Sequence, residues 1–183
     1  LNKMAKDMEL KNTNFTNVTG MPNKNHYTTA RDLAVLSKNL IADYPKQYLR
    51  FSQKKYTYNN ISQLNRNRLL TTYDFADGIK TGHTSSAGYC LAASASVNET
   101  RFISVIFGAN SSKARFKDTK TLFKFGFRNF ITEKYFNKNK VIAKERIWNG
   151  EKKYIDIGFN RNIYITQMKH DDSKIIPKIN LLS

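Results

Sequence analysis

Three successive extended runs in the middle of the chain constrain its fold more than anything else in it. The first ends in Asp77-Gly78-Ile79-Lys80-Thr81-Gly82-His83, the second covers residues 87–97 and the third 101–109, with Asn98-Glu99-Thr100 between the last two. Apolar and β-branched or aromatic runs joined by so short a polar tip read as a hairpin, and the hairpin adjoins the first run, so three antiparallel strands share one sheet. Directly afterwards Phe116, Leu122, Phe123, Phe127, Phe130 and Ile131 recur mostly three or four residues apart. That spacing predicts one amphipathic helix, running through Ile131, that covers the sheet with its aromatic face. A helix-covered antiparallel sheet is an α+β arrangement, mixed in its helix and strand content.

The flanks are organised around it. Leu1, Met4, Ala5 and Met8 follow helical spacing, so the chain is expected to open inside a helix. A second helix is expected from Thr28 or Thr29, where Thr29 with Asp32 forms a capping pair; its apolar face runs through Leu33, Leu36, Leu40 and Ile41, and Pro45 stops it. The turn-rich stretch Thr19-Gly20-Met21-Pro22-Asn23 leads to His26, read as a loop residue packing near the site rather than a ligand. From residue 137 the pattern changes to short strands at Val141-Ile142, Ile147-Trp148, Tyr154–Ile157 and Ile163–Ile165, separated by Asn-Gly or Asn-Arg-Asn turns. Two domains are expected, 1–136 and 137–183, the second β-rich and incomplete.

Composition narrows the partners. With 40% hydrophobic and 13% aromatic residues among 183, a sizeable core can form. No run of 18 apolar residues appears, and the opening Leu1-Asn2-Lys3-Met4 has no apolar signal core, so any secretory signal is expected upstream. Cys90, the one cysteine, allows no intrachain disulfide and reads as a small buried residue. The formal charge of +17 comes from scattered lysines; it fits a solvated surface or attraction to an anionic envelope, and a nucleic-acid groove is not expected. His26, His83 and His170 are far apart and lack a ligand spacing, so no metal and no cofactor is implied.

The chemistry centres on Lys80-Thr81-Gly82. Lys-Thr-Gly is one of three signatures of serine acyl-transferases, beside Ser-x-x-K and a Ser-x-Asn-type triplet. Here it lies within Gly78–Thr84 and is followed by Ala87-Gly88-Tyr89-Cys90-Leu91-Ala92-Ala93-Ser94-Ala95. Further blocks are Leu10–Phe15, Thr29-Ala30-Arg31-Asp32 with Leu33-Ala34, Gln63–Asn67 with Leu69-Leu70, and Phe125-Gly126-Phe127-Arg128. In their order along the chain, over roughly residues 1 to 130, they resemble the low-molecular-mass penicillin-binding D-alanyl-D-alanine carboxypeptidases of peptidase S11 type. The resemblance implies part of a serine transpeptidase/β-lactamase-like domain, then a β-rich domain that in the family ends in a membrane-anchoring amphipathic helix. This chain, ending at Leu181-Leu182-Ser183, is expected to stop partway through that domain.

In the resembling family the nucleophilic Ser-x-x-K and the Ser-x-Asn triplet both precede the block with which this chain opens. Literal copies exist, at Ser52-Gln53-Lys54-Lys55 and Ser96-Val97-Asn98. The first runs into strand-like Tyr56-Thr57-Tyr58, whereas the chemistry needs its serine one helical turn from the lysine; the second sits at a hairpin tip. Both are read as coincidences. By resemblance, Lys80 neutralises the carboxylate of a D-alanyl terminus and shuttles protons toward the leaving amine, and Thr81 hydrogen-bonds the same carboxylate. Gly82 lets the substrate backbone approach, and the backbone N–H of His83 supplies half an oxyanion hole. Arg115 aligns with an arginine that helps hold the carboxylate, and Arg66 borders the site.

The expected function is therefore removal of the terminal D-alanine from peptidoglycan stem peptides through a penicillin-sensitive serine acyl-enzyme, carried out by the intact protein outside the cytoplasmic membrane and peripheral to it. Peptidoglycan pentapeptide stems, β-lactams and the anionic envelope are the expected partners, and the chain by itself is expected to be silent. Two alternatives stand beside this reading: a non-catalytic peptidoglycan-binding remnant and a basic nucleic-acid-binding module.

Overall fold

The computed structural model describes residues 1–170, and the chain divides into two compact units, Leu1–Gly126 and a second beginning at Phe127. The first is built on the expected sheet: β3 (Ala76–Thr84), β4 (Gly88–Val97) and β5 (Thr100–Ala109), antiparallel in the order β3-β4-β5. Register sets Ile79 opposite Ala93, Lys80 opposite Ala92 and Gly82 opposite Cys90. Val97 pairs with Thr100, so the tip is the two-residue Asn98-Glu99, with Asn98 at φ 52°; asparagine tolerates that left-handed backbone better than most residues.

The middle strand explains its own composition. Leu91, Ala93, Ser94 and Ala95 are all 0% exposed, because β4 has a neighbour on each side and a covering layer on its faces, and small side chains fit that depth. Helix α5 (Ser112–Asn129) supplies cover through Phe116, Thr119 and Phe123, all buried. Phe123 stacks on Tyr73 with ring centroids 5.7 Å apart, and burying one such ring stabilises by roughly 1.5–3 kcal/mol. Gly126 lies so close to the Phe102 ring that an added Cβ would stand 3.0 Å from it.

The aromatic stripe differs from expectation at its end. Helix α5 stops at Asn129, and Phe130 and Ile131 open strand β6 (Phe130–Phe136), which pairs with β9 (Ile163–Met168). Adjacent aromatic and β-branched residues at 130–132 suit a pleated ladder better than a helix end. Leu122 is likewise outside the buried stripe, at 48% exposure. The second unit adds β7 (Val141–Arg146) paired with β8 (Tyr154–Gly158). Ile147-Trp148, expected as a strand, is a loop, with the Arg146 guanidinium 4.0 Å above the Trp148 ring. Because β6 pairs with β9, the second unit begins at Phe127, ten residues before the change in pattern near 137. The end of the chain at Leu181–Ser183 lies outside the described residues.

Upstream, α1 (Asn2–Asp7) and α2 (Ala30–Asp43) fall at the expected places. The Thr29 hydroxyl accepts from the Asp32 N–H at 3.2 Å and caps α2. The Asp32 carboxylate does not return the bond; it turns to Asn12 N–H (2.8 Å) and the Thr13 hydroxyl (2.7 Å), tying the opening loop to the helix. Pro45 does end α2 and starts α3 (Pro45–Tyr48), which runs into a 3-10 turn at Leu49–Ser52. His26 is in the 14–27 loop, its ring edge-on to Phe15 and its Nδ1 facing Thr16. Strand-like Tyr56-Thr57-Tyr58 lies in β1 (Lys55–Tyr58), whose partner β2 (Ile61–Leu64) was not expected; the hairpin turns through Asn59 and Asn60 at φ 47° and 61°. A short helix, α4 (Leu69–Thr72), leads into β3.

Candidate functional site

Strand β3 is an edge of its sheet among the described residues, so one set of its backbone groups faces away from β4, free to pair with an extended ligand. Burial alternates along it: Ile79 and Thr81 are inside, Lys80 and Gly82 exposed, which puts Lys80 and Gly82 on one face of the strand and Thr81 on the other. The Lys80 ammonium donates to the Thr81 carbonyl at 2.7 Å. The Thr81 hydroxyl has no hydrogen-bond partner among the described residues, and its side chain is nearly buried at 8% exposure. His83 is exposed and lays its imidazole against Tyr89, its partner in register, with centroids 4.0 Å apart.

Both ends of this strand are held. At its start the Asp77 carboxylate receives the Ser94 hydroxyl, the Arg101 guanidinium (2.6 Å) and, at longer range, the Tyr48 hydroxyl (3.4 Å). Tyr48 and Ser94 also share a 2.7 Å bond. Burial, with the neighbouring Asp77 charge adding to it, pushes the Tyr48 phenol up to about 12, against the lowering effect of the Ser94 bond, so the hydroxyl stays protonated. Asn67, itself buried, donates from Nδ2 to the Gly78 carbonyl at 2.8 Å. At the far end Arg115, 7% exposed, donates from one guanidinium nitrogen to the carbonyls of Gly82 (2.9 Å) and Cys90 (3.2 Å) and from the other to the Ser112 hydroxyl (3.2 Å). Among the described residues its Nε has no hydrogen-bond partner, and burial lowers its pKa from the usual arginine range.

Arg115 therefore meets the Lys-Thr-Gly strand as a backbone clamp, and it also borders a cleft of about 500 Å³ whose other walls include Arg66, Asn67, Arg68 and Ser112. The expected neighbours Arg66 and Arg115 share this cleft; Lys80, Thr81 and His83 are not among its walls but stand on the strand that Arg115 grips. Cys90, expected to be buried, is half-buried, its thiol donating to the Ala87 carbonyl at 3.3 Å. Sequence reasoning missed the Tyr48–Ser94–Arg101 grip on Asp77. Its members lie 17, 24 and 29 residues from Asp77, and no local periodicity marks them.

The two literal serine motifs lack the required geometry. Ser52 ends the 3-10 turn and donates to the Leu49 carbonyl at 2.7 Å, Gln53 is extended, and Lys55 opens β1. A lysine in a strand does not return over a serine as it would one helical turn later. Ser96 sits in β4, opposite Arg101 in β5. No group of three or more metal-ligating side chains occurs among the described residues, and no helix of the described residues is long and apolar enough to cross a membrane.

Comparison with known proteins gives the family of the chain. The family model described as D-alanyl-D-alanine carboxypeptidase matches residues 1–111, and that of the penicillin-binding protein 5 C-terminal domain matches 130–183. D-alanyl-D-alanine carboxypeptidase DacA of Haemophilus influenzae is 40% identical over 99% of this chain and 47% of its own length. The crystal structure of penicillin binding protein 5 from the same organism superposes with a TM-score of 0.83 at 40% identity, over 93% of this chain and 50% of that one. Penicillin-Binding Protein D2 of Listeria monocytogenes, in its cefotaxime-bound form, gives a TM-score of 0.65 at 33% identity, over 69% of this chain and 53% of that one. The chain thus spans about half the length of the relatives it matches. With both family models following one another along it, the chain belongs to the D-alanyl-D-alanine carboxypeptidase family.

Proposed function

We propose that these 183 residues are the substrate-holding part of an enzyme that removes the terminal D-alanine from peptidoglycan stem peptides through a serine acyl-enzyme, outside the cytoplasmic membrane. The observation that carries this is the Lys80-Thr81-Gly82 segment presented on an edge strand that is fixed at both ends, by Asp77 and by Arg115. An extended D-alanyl-D-alanine end pairs along that edge, Gly82 removing the side chain that would otherwise block approach. The exposed Lys80 ammonium supplies the positive charge for the terminal carboxylate and a proton for the leaving amine, while Thr81, buried on the other face, anchors the strand there. The His83 backbone N–H supplies half of the oxyanion hole, a donor worth roughly 3 kcal/mol in the transition state.

Arg115 contributes a fixed positive charge behind Gly82, and with Arg66 it draws anionic substrate into the cleft. The nucleophile belongs to a part of the protein outside these residues, since neither Ser52 nor Ser96 is positioned for it. β-Lactams, as mimics of the same acyl terminus, acylate the same serine; the Listeria relative was solved with cefotaxime bound. The test uses the intact protein with a fluorescent penicillin and a pentapeptide ending in D-alanyl-D-alanine. Wild type labels and releases D-alanine, and Lys80→Ala slows both about a hundredfold or more without loss of folding, as Lys80 is exposed. Binding of peptidoglycan with neither labelling nor release would replace this reading with a non-catalytic one.

A further inference from the structure

Helix α5 carries a feature that the proposed acyl transfer does not use. Lys113, Lys117, Lys120 and Lys124 are spaced i, i+4, i+7 and i+11, which at about 100° per residue confines them to an arc of roughly 60° and spreads them over about 16 Å. All four line one groove of about 880 Å³, and Arg68 forms part of its other wall. The acid of the same helix, Asp118, falls on a different face, about a third of a turn away. Among the described residues the ion pairs, Arg101–Asp77 and Lys144–Asp156, engage none of the four lysines. Like charges three and four residues apart oppose helix formation, so this ridge is held at a cost to the element that carries it. A scattered solvated lysine surface would not concentrate them in one concave stripe.

The ridge is continuous with the cleft at Arg115, because Arg68 and Ser112 line both. We infer that the Lys113–Lys124 ridge is a docking groove for a linear carboxylate-bearing polymer, namely a peptidoglycan strand whose neighbouring acidic stem peptides run along α5 while one D-alanyl end occupies the site. This rests on the carboxypeptidase reading above. A groove suits a chain rather than a flat bilayer, and charges repeated every turn suit a polymer with repeated carboxylates rather than a single small anion. The groove contributes to holding polymeric substrate and not to the chemical step.

The test compares the intact wild-type protein with Lys113→Gln/Lys117→Gln/Lys120→Gln/Lys124→Gln and with the corresponding four-fold lysine-to-arginine variant. D-Alanine release is followed from uncross-linked peptidoglycan strands and from a free pentapeptide. The glutamine variant raises KM for the strands about tenfold, leaves kcat and the pentapeptide KM unchanged, and the arginine variant restores the wild-type value. At ~0.5 M salt the wild type loses its advantage on strands. Equal KM for strands in wild type and the glutamine variant overturns the docking groove, as does an equal loss on both substrates. Loss of duplex DNA affinity in that variant with strand binding intact overturns it in favour of a nucleic-acid surface. Should the wild type release nothing from the pentapeptide, the catalytic reading fails. Co-sedimentation of wild type and variant with peptidoglycan then decides the groove: weaker pelleting of the variant supports it, equal pelleting sinks it.

Discussion

At the scale of single residues, the candidate site depends on contacts made by residues that carry no chemistry themselves. Gly78 is the sharpest case: a Cβ there would lie 2.2 Å from the Tyr48 hydroxyl oxygen, and Tyr48 is held by Ser94 beneath the strand. Gly78→Ala is expected to cost about 2–3 kcal/mol of stability, and less in a Tyr48→Phe background, where the clashing oxygen is gone. Urea unfolding of the four-member cycle measures this; a coupling near zero would mean that strand and ring shift apart freely. The glycine itself is plain in the sequence, but its reason is not, because Tyr48 lies thirty residues upstream. Arg115 teaches the same lesson. A part in holding the substrate carboxylate was expected from resemblance, whereas its two bonds to the Gly82 and Cys90 carbonyls could be read only from the fold.

At the scale of elements, α2 shows how far local rules reach. Its cap at Thr29 follows from residue type and spacing, and Thr29→Ala is expected to cost about 1 kcal/mol at pH 7, by urea unfolding. Asp32 behaves differently. The Thr13 hydroxyl first, then the Asn12 N–H, hold its carboxyl below the ordinary carboxylate range, against the opposing effect of burial. A depressed folded pKa means that the stability it supplies is full above the unfolded value, about 4, and is lost as pH falls through the lower folded value. Asp32→Ala should therefore lie well below wild type at pH 7, with the gap narrowing below about pH 4; a gap constant over that range would show that the carboxylate's charge is irrelevant. Among strands, β3, β4 and β5 were legible because their runs are continuous and their turn is short. Of the β1–β2 hairpin only β1 was legible, as strand-like Tyr56-Thr57-Tyr58; β2 was not, since its residues are all exposed and an exposed strand leaves little hydrophobic alternation to read. The α5 to β6 transition was misread because Phe130 and Ile131 fit the helical repeat as well as a pleated ladder.

At the scale of the whole molecule, the chain spans about half of its relatives' length, and neither Ser52 nor Ser96 within it is positioned as a nucleophile. The isolated 183 residues are expected to release no D-alanine and to take no fluorescent penicillin label, as read by gel and intact mass; labelling abolished by Ser52→Ala would overturn the assignment of Ser52 to a 3-10 turn without catalytic part. The sequence by itself determined the three-stranded sheet, the helix that covers it, the Lys80-Thr81-Gly82 edge and the family, because each is written in contiguous residues whose spacing or chemistry is local. It also showed that Ser52-Gln53-Lys54-Lys55 stands in the wrong context. Only the tertiary structure decided that Asp77 is gripped by Tyr48, Ser94 and Arg101, that Arg115 clamps two strand carbonyls, and that four lysines of α5 meet Arg68 across one groove. Such arrangements join residues far apart along the chain, and the free energy that selects them comes from packing and burial, which no local pattern records.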